Sequence, residues 1–429
     1  MERRHVITAA AVGLVLGACA KPGLAPAGPS GSTGGPSGGG SAGGGASTSR
    51  PNPTWTGSTP PTAGPESADP ETASASAQTS PTQASSCQQM AAALSLETRC
   101  GQLLMAGVTD PRPTAEYLQA MSKARIGSVV VLGSRIRGRQ AMSSLSNELS
   151  SVNQEVPLVV AVDQEGGQVQ RLVGAGFESI PNAGVQGQWP ADRLTTQWQR
   201  WGAELQRAGV LWNLAPVADV VPPAKVSSNA PIGRLRRNFG TDPERVTRAA
   251  TAAARGMHKA GLATGLKHFP GLGEVTTNTD FGEAADTVTT EGSAQISVFR
   301  DVFEQVNAGS VMVASAVYTQ LDPEHRAVFS RKIISDLLRG RLGFDRVVIS
   351  DDLGAAESVA TVPVGERATR FVDAGGDVVI CADPGKVQTM VSALVAKARQ
   401  DAAFEAKVTA AAGRVLALKA SLGLIECSA

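Results

Sequence analysis

Between residues 103 and 383 the chain repeats one pattern: a short, nearly continuous apolar run, then a longer segment with apolar residues at helical spacing. The runs are LLMAGV (103–108), SVVVLG (128–133), LVVAVD (158–163), VLWNLAP (210–216), LATGLKHF (262–269), SVMVAS (310–315), RVVISD (346–351) and DVVICAD (377–383). Continuous rather than alternating apolar residues mark strands covered on both faces. The clearest helical segments between them are 195–209, which stops at Gly209, 242–261, which opens with Asp-Pro and stops at Gly261, and 363–376, which ends in glycines. Eight strand–helix alternations predict an α/β fold closed as a (β/α)₈ TIM barrel. A doubly wound open sheet is the competing architecture. Against it, no run is followed by GxGxxG or a Walker sequence, and DQEGG leads into another apolar strip.

The first ninety residues follow another logic. Residues 1–18 read as a signal peptide: Arg3 and Arg4, then the apolar VITAAAVGLVLGA, then small residues before Cys19. LGAC (16–19) has the form of a lipobox, in which Cys19 is acylated after cleavage; an ordinary secretory signal is the alternative. Residues 19–86 are mostly Gly, Ser, Pro, Thr and Ala, with Leu24 and Trp55 almost the only large apolar residues. Such a segment buries too little surface to offset its ordering entropy and reads as a disordered tether. The expected organisation is a leader at 1–18, a tether at 19–86 and a catalytic or binding body at 87–429. The protein is expected at the outer face of the cytoplasmic membrane, or secreted, and as a monomer.

Net charge changes little: at +1 it gives no reason to expect nucleic acid or another polyanion as partner. Aromatic residues make up only 4% of the chain, which argues against a large stacking surface. The cysteines beyond Cys19 are Cys87, Cys100, Cys381 and Cys427, none in a CxxC pattern, so no zinc site is expected. Cys87 and Cys427 stand at the two edges of the body of an exported chain and are expected to pair as a disulfide. Cys100 and Cys381 read as small buried apolar residues.

A barrel presents its chemistry at the carboxyl ends of its strands. The polar residues expected there are Asp163, Asn213, Lys267 with His268, Ser315, Asp351 and Asp383. Asp351, in VVISDDL, is a candidate nucleophile or cation stabiliser, with Lys267, Arg171 and Arg237 as charge partners; alternatively it or Asp352 caps the next helix. Asp163 before Gly166–Gly167 suits close contact with a small polar ligand, or a plain turn. Lys267 could form a Schiff base, as in barrel aldolases, or act as a fixed cation. Of the histidines outside the leader, His258 reads as a helix-surface residue and His325 as a loop residue, leaving His268 as the candidate for chemistry.

Together these motifs resemble glycoside hydrolase family 3, in its single-domain bacterial β-N-acetylglucosaminidase branch. The resemblance covers roughly 94–425 and is carried by LSLETRCGQLLMAG, DQEGGQVQRL, APVADV, NAPIGRLRRNFGTDP, KHFPGLG, VVISDDLGA and DAGGDVVIC in the family's order. It implies a (β/α)₈ barrel, a retaining mechanism through a glycosyl-aspartate on Asp351, and a sugar held by Asp163, Arg171, Arg237, Lys267 and His268. It implies a carbohydrate substrate of cell-wall or chitin type and no metal or organic cofactor. In this branch the loop after the Lys-His pair reads KHFPGHG…DSH, and its last histidine, paired to the aspartate, is the acid/base. Here Leu272, Asn278 and Asp280 occupy the first histidine, the aspartate and the catalytic histidine. Either Asp280 serves as acid/base with a raised pKa, or Glu274 or Glu283 does, or the acid is missing and the protein is an impaired, sugar-binding lipoprotein.

Overall fold

The computed structural model describes residues 81–427, apart from 134, 153 and 154. The leader, Cys19 and most of the tether lie outside the described residues. All eight apolar runs form parallel strands: β1 (Leu104–Val108), β2 (Ser128–Val131), β3 (Val159–Val162), β4 (Trp212–Asn213), β5 (Ala263–Phe269), β6 (Ser310–Val313), β7 (Val347–Asp352) and β8 (Val378–Cys381). They pair in sequence order, and β8 returns to β1 with Leu104 opposite Val379, which closes the barrel.

Two apolar layers hold it. Met105, Val130, Val159, Trp212, Met312 and Ile349 are among the residues that fill the lumen. The alternate strand positions, such as Val129, Val160, Leu266, Val311 and Val348, join the outer helices in a larger core. Strands buried on both sides explain why the runs are continuous. The helices fall close to their sequence signals, at Ala191–Gln206, Pro243–Lys259 and Val364–Asp373. Asp242 accepts from the Arg245 N–H at 2.9 Å and Pro243 occupies the first turn, as an Asp-Pro start requires.

The first described helix, Pro81–Ala93, begins inside the segment expected to be tether and packs on the last one, Ala402–Ser421. Cys87 and Cys427 form a disulfide there, while Cys100 and Cys381 are buried free thiols. Among the described residues no helix is long and apolar enough to cross a membrane.

The disulfide closes nearly the whole body into one loop, so its removal should cost about 2–5 kcal/mol. Cys87→Ser should lower the urea midpoint measured by circular dichroism. An unchanged midpoint would mean that the cross-link contributes nothing to global stability.

Candidate active site

Strand alternation aims the first three site residues. On β7, Val347 and Ile349 face the lumen, and Asp351 is the next position on that face. On β5, Ala263 lies in the lumen layer and Lys267 follows four positions on. On β3, Val159 and Ala161 point inward and Asp163 comes next. The apolar ladder that fills the barrel therefore ends, at its carboxyl mouth, in two carboxylates and an ammonium.

The ammonium is deeply buried: the Lys267 side chain is 2% exposed. Its Nζ lies 2.6 Å from Asp163 Oδ1 and 2.6 Å from Glu165 Oε1. Glu165 is also gripped from the other side. Arg237 Nε donates to Oε2 at 2.8 Å and Nη2 to Oε1 at 2.7 Å, a two-pronged guanidinium–carboxylate pair. Burial alone would raise the Glu165 pKa. The Arg237 and Lys267 charges outweigh it and hold the carboxyl well below the usual carboxylate range. Glu165 is brought here by the turn at Gly166 and Gly167, both at positive φ (98° and 58°). A Cβ at Gly166 would collide with the Pro181 carbonyl, so the turn needs glycine.

His268 extends the network. Its Nδ1 lies 2.8 Å from Asp219 Oδ2, and its Nε2 is 3.5 Å from Arg237 Nη2. Asp219 is fully buried, and its Oδ1 accepts from the Leu272 N–H at 2.7 Å. The charge network thus reaches the start of the loop after β5. That loop is fastened along its length. Asn229 Nδ2 donates to the carbonyls of Leu272, Gly273 and Val275 at 2.7, 3.1 and 2.8 Å. The Tyr318 hydroxyl donates to Gly271 O at 2.8 Å. Farther on, Ser358 N donates to Thr279 O and Glu357 N to Asp280 O, both at 3.2 Å. These two bonds tie the loop to the segment that follows β7.

The fastening brings the loop to Asp351. Thr279 Oγ1 donates to Asp351 Oδ2 at 3.3 Å, and the Asp352 N–H donates to Asp351 Oδ1 at 3.0 Å. The next loop residue is Asp280, which is half-buried. Burial first, and then the Asp351 and Asp352 charges, push its carboxyl up to about 7, against the downward pull of Arg237. One carboxyl at this mouth therefore titrates near neutrality, within electrostatic reach of another that is held by two donors. That is the equipment for acid-assisted displacement.

The other strand-end residues serve the frame. Asn213 is buried and exchanges two 3.0 Å bonds with the Gln164 backbone. Ser315 accepts from Ser358 Oγ at 3.0 Å, and Asp383 accepts from Gly385 N at 3.0 Å. Asp352 accepts from the N–H groups of Gly354, Ala355 and Ala382, each at 2.8 Å, and so ties the turn after β7 to β8. Arg171 is half-buried, with its Nε sequestered and without a partner among the described residues. Glu274 pairs with Lys225 at 2.5 Å, and the exposed Glu283 pairs with Arg326.

The reading of His258 as a surface residue is corrected. The side chain turns inward from its helix to meet Thr264 Oγ1 at 3.2 Å, and burial, aided by the Arg346 charge, lowers its pKa to about 4. His325 lies in a short strand, Asp322–Arg326, beside Asp322. A cavity of about 450 Å³ that His258 lines lies below the amino ends of β5, β6 and β7, away from the carboxylates. Two members of the network, Glu165 and Asp219, were not singled out from the sequence. The only signal was an acid enclosed in apolar or glycine-rich surroundings, in DQEGG and APVADV.

The glycosyl hydrolase family 3 N-terminal domain model matches residues 95–418. A beta-hexosaminidase of Stenotrophomonas maltophilia is 33% identical over 310 residues, which is 70% of this chain and 90% of that protein. The crystal structure of a beta-N-acetylhexosaminidase from Beutenbergia cavernae is 44% identical, with TM-score 0.75, covering 76% of this chain and 99% of that one. A family 3 beta-N-acetylglucosaminidase from a Paenibacillus is 27% identical, with TM-score 0.69, covering 77% of this chain and 63% of that one. With the family model spanning three quarters of its length and a hexosaminidase relative above 30% identity, the chain is a glycosidase and belongs to glycosyl hydrolase family 3.

Proposed function

We propose that this glycosidase is a retaining exo-β-N-acetylglucosaminidase of cell-wall or chitin-type glycans, with Asp351 as nucleophile and Asp280 as acid/base. The observation that carries the reading is the pairing of unlike carboxyls: Asp351 held by Thr279 and the Asp352 N–H, and Asp280 kept protonated by burial and by that neighbouring charge. Asp280 gives its proton to the glycosidic oxygen as Asp351 attacks the anomeric carbon. Esterification then removes the Asp351 charge, which lowers the Asp280 pKa. Asp280, now ionised, takes a proton from the water that releases the sugar.

In this reading Lys267, His268, Asp163, Arg171 and Arg237 supply donors and acceptors suited to hydroxyl and acetamido groups. Lys267 is explained as a fixed cation, because its ammonium already has two carboxylate partners; a Schiff base would require it to be neutral. The sugar class is supported by the names of the hexosaminidase relatives. The sugar-binding alternative gains no support: the carboxyl at 280 lies within electrostatic reach of Asp351, Asp352, Arg237 and Asp163.

The reading includes a location. LGAC at 16–19 supports acylation of Cys19 and anchoring to the outer face of the membrane, and the Cys87–Cys427 disulfide fits an oxidising compartment. Metabolic labelling with a fatty acid should mark the wild-type chain and leave Cys19→Ser unlabelled. Equal labelling of both would remove the anchor.

Asp351→Asn should lower kcat by at least about 10⁴-fold on any N-acetylglucosaminide. A fluorosugar inactivator should glycosylate Asp351, its activated leaving group departing from the anomeric carbon; attachment elsewhere would reassign the nucleophile. Asp280→Asn should lose about 10²–10⁴-fold on an unactivated glycoside. It should lose far less on a dinitrophenyl glycoside, whose leaving group needs no proton. Equal losses on both would remove Asp280 from the acid role.

The acid must be protonated to act, so kcat/KM on an unactivated glycoside should fall as pH rises through about 7. That descending limb should be absent from Asp280→Asn acting on the dinitrophenyl substrate.

A further inference from the structure

Phe281 directly follows Asp280 and is 61% exposed, the most exposed large apolar side chain among the described residues. Its backbone is not loose. The Phe281 N–H donates to Asn278 O at 3.0 Å, the Asp280 N–H donates to Asn278 Oδ1 at 3.1 Å, and the two preceding carbonyls are tied to Ser358 and Glu357. A phenyl ring is thus presented to water on a fastened turn, where no fold requirement accounts for it. The charged network deeper in the mouth, by contrast, contains no Phe, Tyr or Trp: it is built from Asp163, Glu165, Arg237, Lys267, His268 and Asp219.

The position of Asp280 fixes what lies beside Phe281. A general acid must come within hydrogen-bond reach of the glycosidic oxygen, so the leaving group begins one bond beyond the atom that Asp280 protonates. Adjacent Cα atoms are about 3.8 Å apart, so the ring at 281 is within a side chain's reach of the leaving group's first ring. A pyranose with equatorial substituents presents a flat face of C–H bonds, and a phenyl face covers it with apolar contact.

We propose that Phe281 is the platform of a leaving-group subsite that binds a second hexopyranose by its apolar face. The proposal rests on the acid role given above to Asp280. One ring makes one platform, so the subsite discriminates a sugar leaving group from a small alcohol and gives no extended groove. This fits a chain with few aromatic residues.

The test compares wild type, Phe281→Ala and Phe281→Trp on two substrates that both need acid assistance: N,N′-diacetylchitobiose and methyl β-N-acetylglucosaminide. Phe281→Ala should lower kcat/KM for the disaccharide about tenfold, mainly through KM, which corresponds to about 1.4 kcal/mol. On the methyl glycoside it should stay within about twofold, and Phe281→Trp should retain disaccharide activity. Equal loss on both substrates would show that Phe281 acts by placing Asp280 and would overturn the platform. No loss on either would show that the ring does not touch the leaving group. Turnover of the methyl glycoside by wild type and Phe281→Ala upholds the glucosaminidase reading whatever happens to the platform. Failure of wild type on both substrates would sink that reading, and the platform with it.

Discussion

The site depends on one buried carboxylate with two cations. Glu165 is nearly enclosed, and its charge is tolerable only because Lys267 and Arg237 reach it from different directions. Removing either cation would leave a charge without its counter-charge in a dry place, a loss of about 3–5 kcal/mol. Because the partners come from the loop after β3, the end of β5 and the loop after β4, this ionic cluster fixes three segments of the mouth against one another. Asp163 shares Lys267, His268 approaches Arg237, and Asp219 joins His268 to the loop after β5. The network is thus at once a way to keep charges buried and a way to set the orientation of the side chains at the mouth.

How much of this was legible follows from the period of the strand. A polar residue that closes an apolar run stands at the barrel's mouth, so Asp163, Lys267 and Asp351 could be named as strand-end candidates, but runs apolar on both faces do not show which parity faces the lumen. The helix boundaries were legible from local signals, Asp242-Pro243 above all. Asn213, Ser315 and Asp383 also end strands, yet they bind backbone or a neighbouring hydroxyl. A residue's place at a strand end does not tell whether the frame uses up its hydrogen bonds, which depends on loops distant in sequence. Glu165 and Asp219 were missed for the same reason. Their importance lies in partners 72 and 49 residues away. His258 was misplaced because a helix position gives no warning of the Thr264 hydroxyl waiting on its inner side.

The loop after β5 shows how a changed motif can keep a geometry. Leu272 contributes its backbone N–H to Asp219 and buries its side chain, so the loss of an imidazole there leaves the anchor in place. Asn278 makes the turn by accepting from the Asp280 N–H. Asn229, Tyr318 and the segment at 357–358 hold the remainder. The structure therefore contains a positioned loop with a carboxyl at the place where the family resemblance implies an imidazole.

A carboxyl changes the charge accounting of the proposed reaction. An imidazolium acid starts positive and ends neutral, and needs a nearby anion to raise its pKa. A carboxylic acid starts neutral and ends negative, so a nearby anion is what makes it an acid at neutral pH. Asp351 is that anion, and it loses its charge when it is esterified. In the proposed cycle the single negative charge sits on Asp351 before attack and on Asp280 after it, and the two are never required to be ionised together. Burial is the larger cause of the raised Asp280 pKa, and the Asp351 charge that adds to it is relieved at the step where Asp280 has to become a base in that cycle. The same Asp351 charge that attacks the sugar thus tunes the acid that assists it, and a second titratable partner such as the branch's loop aspartate has no task left at position 278.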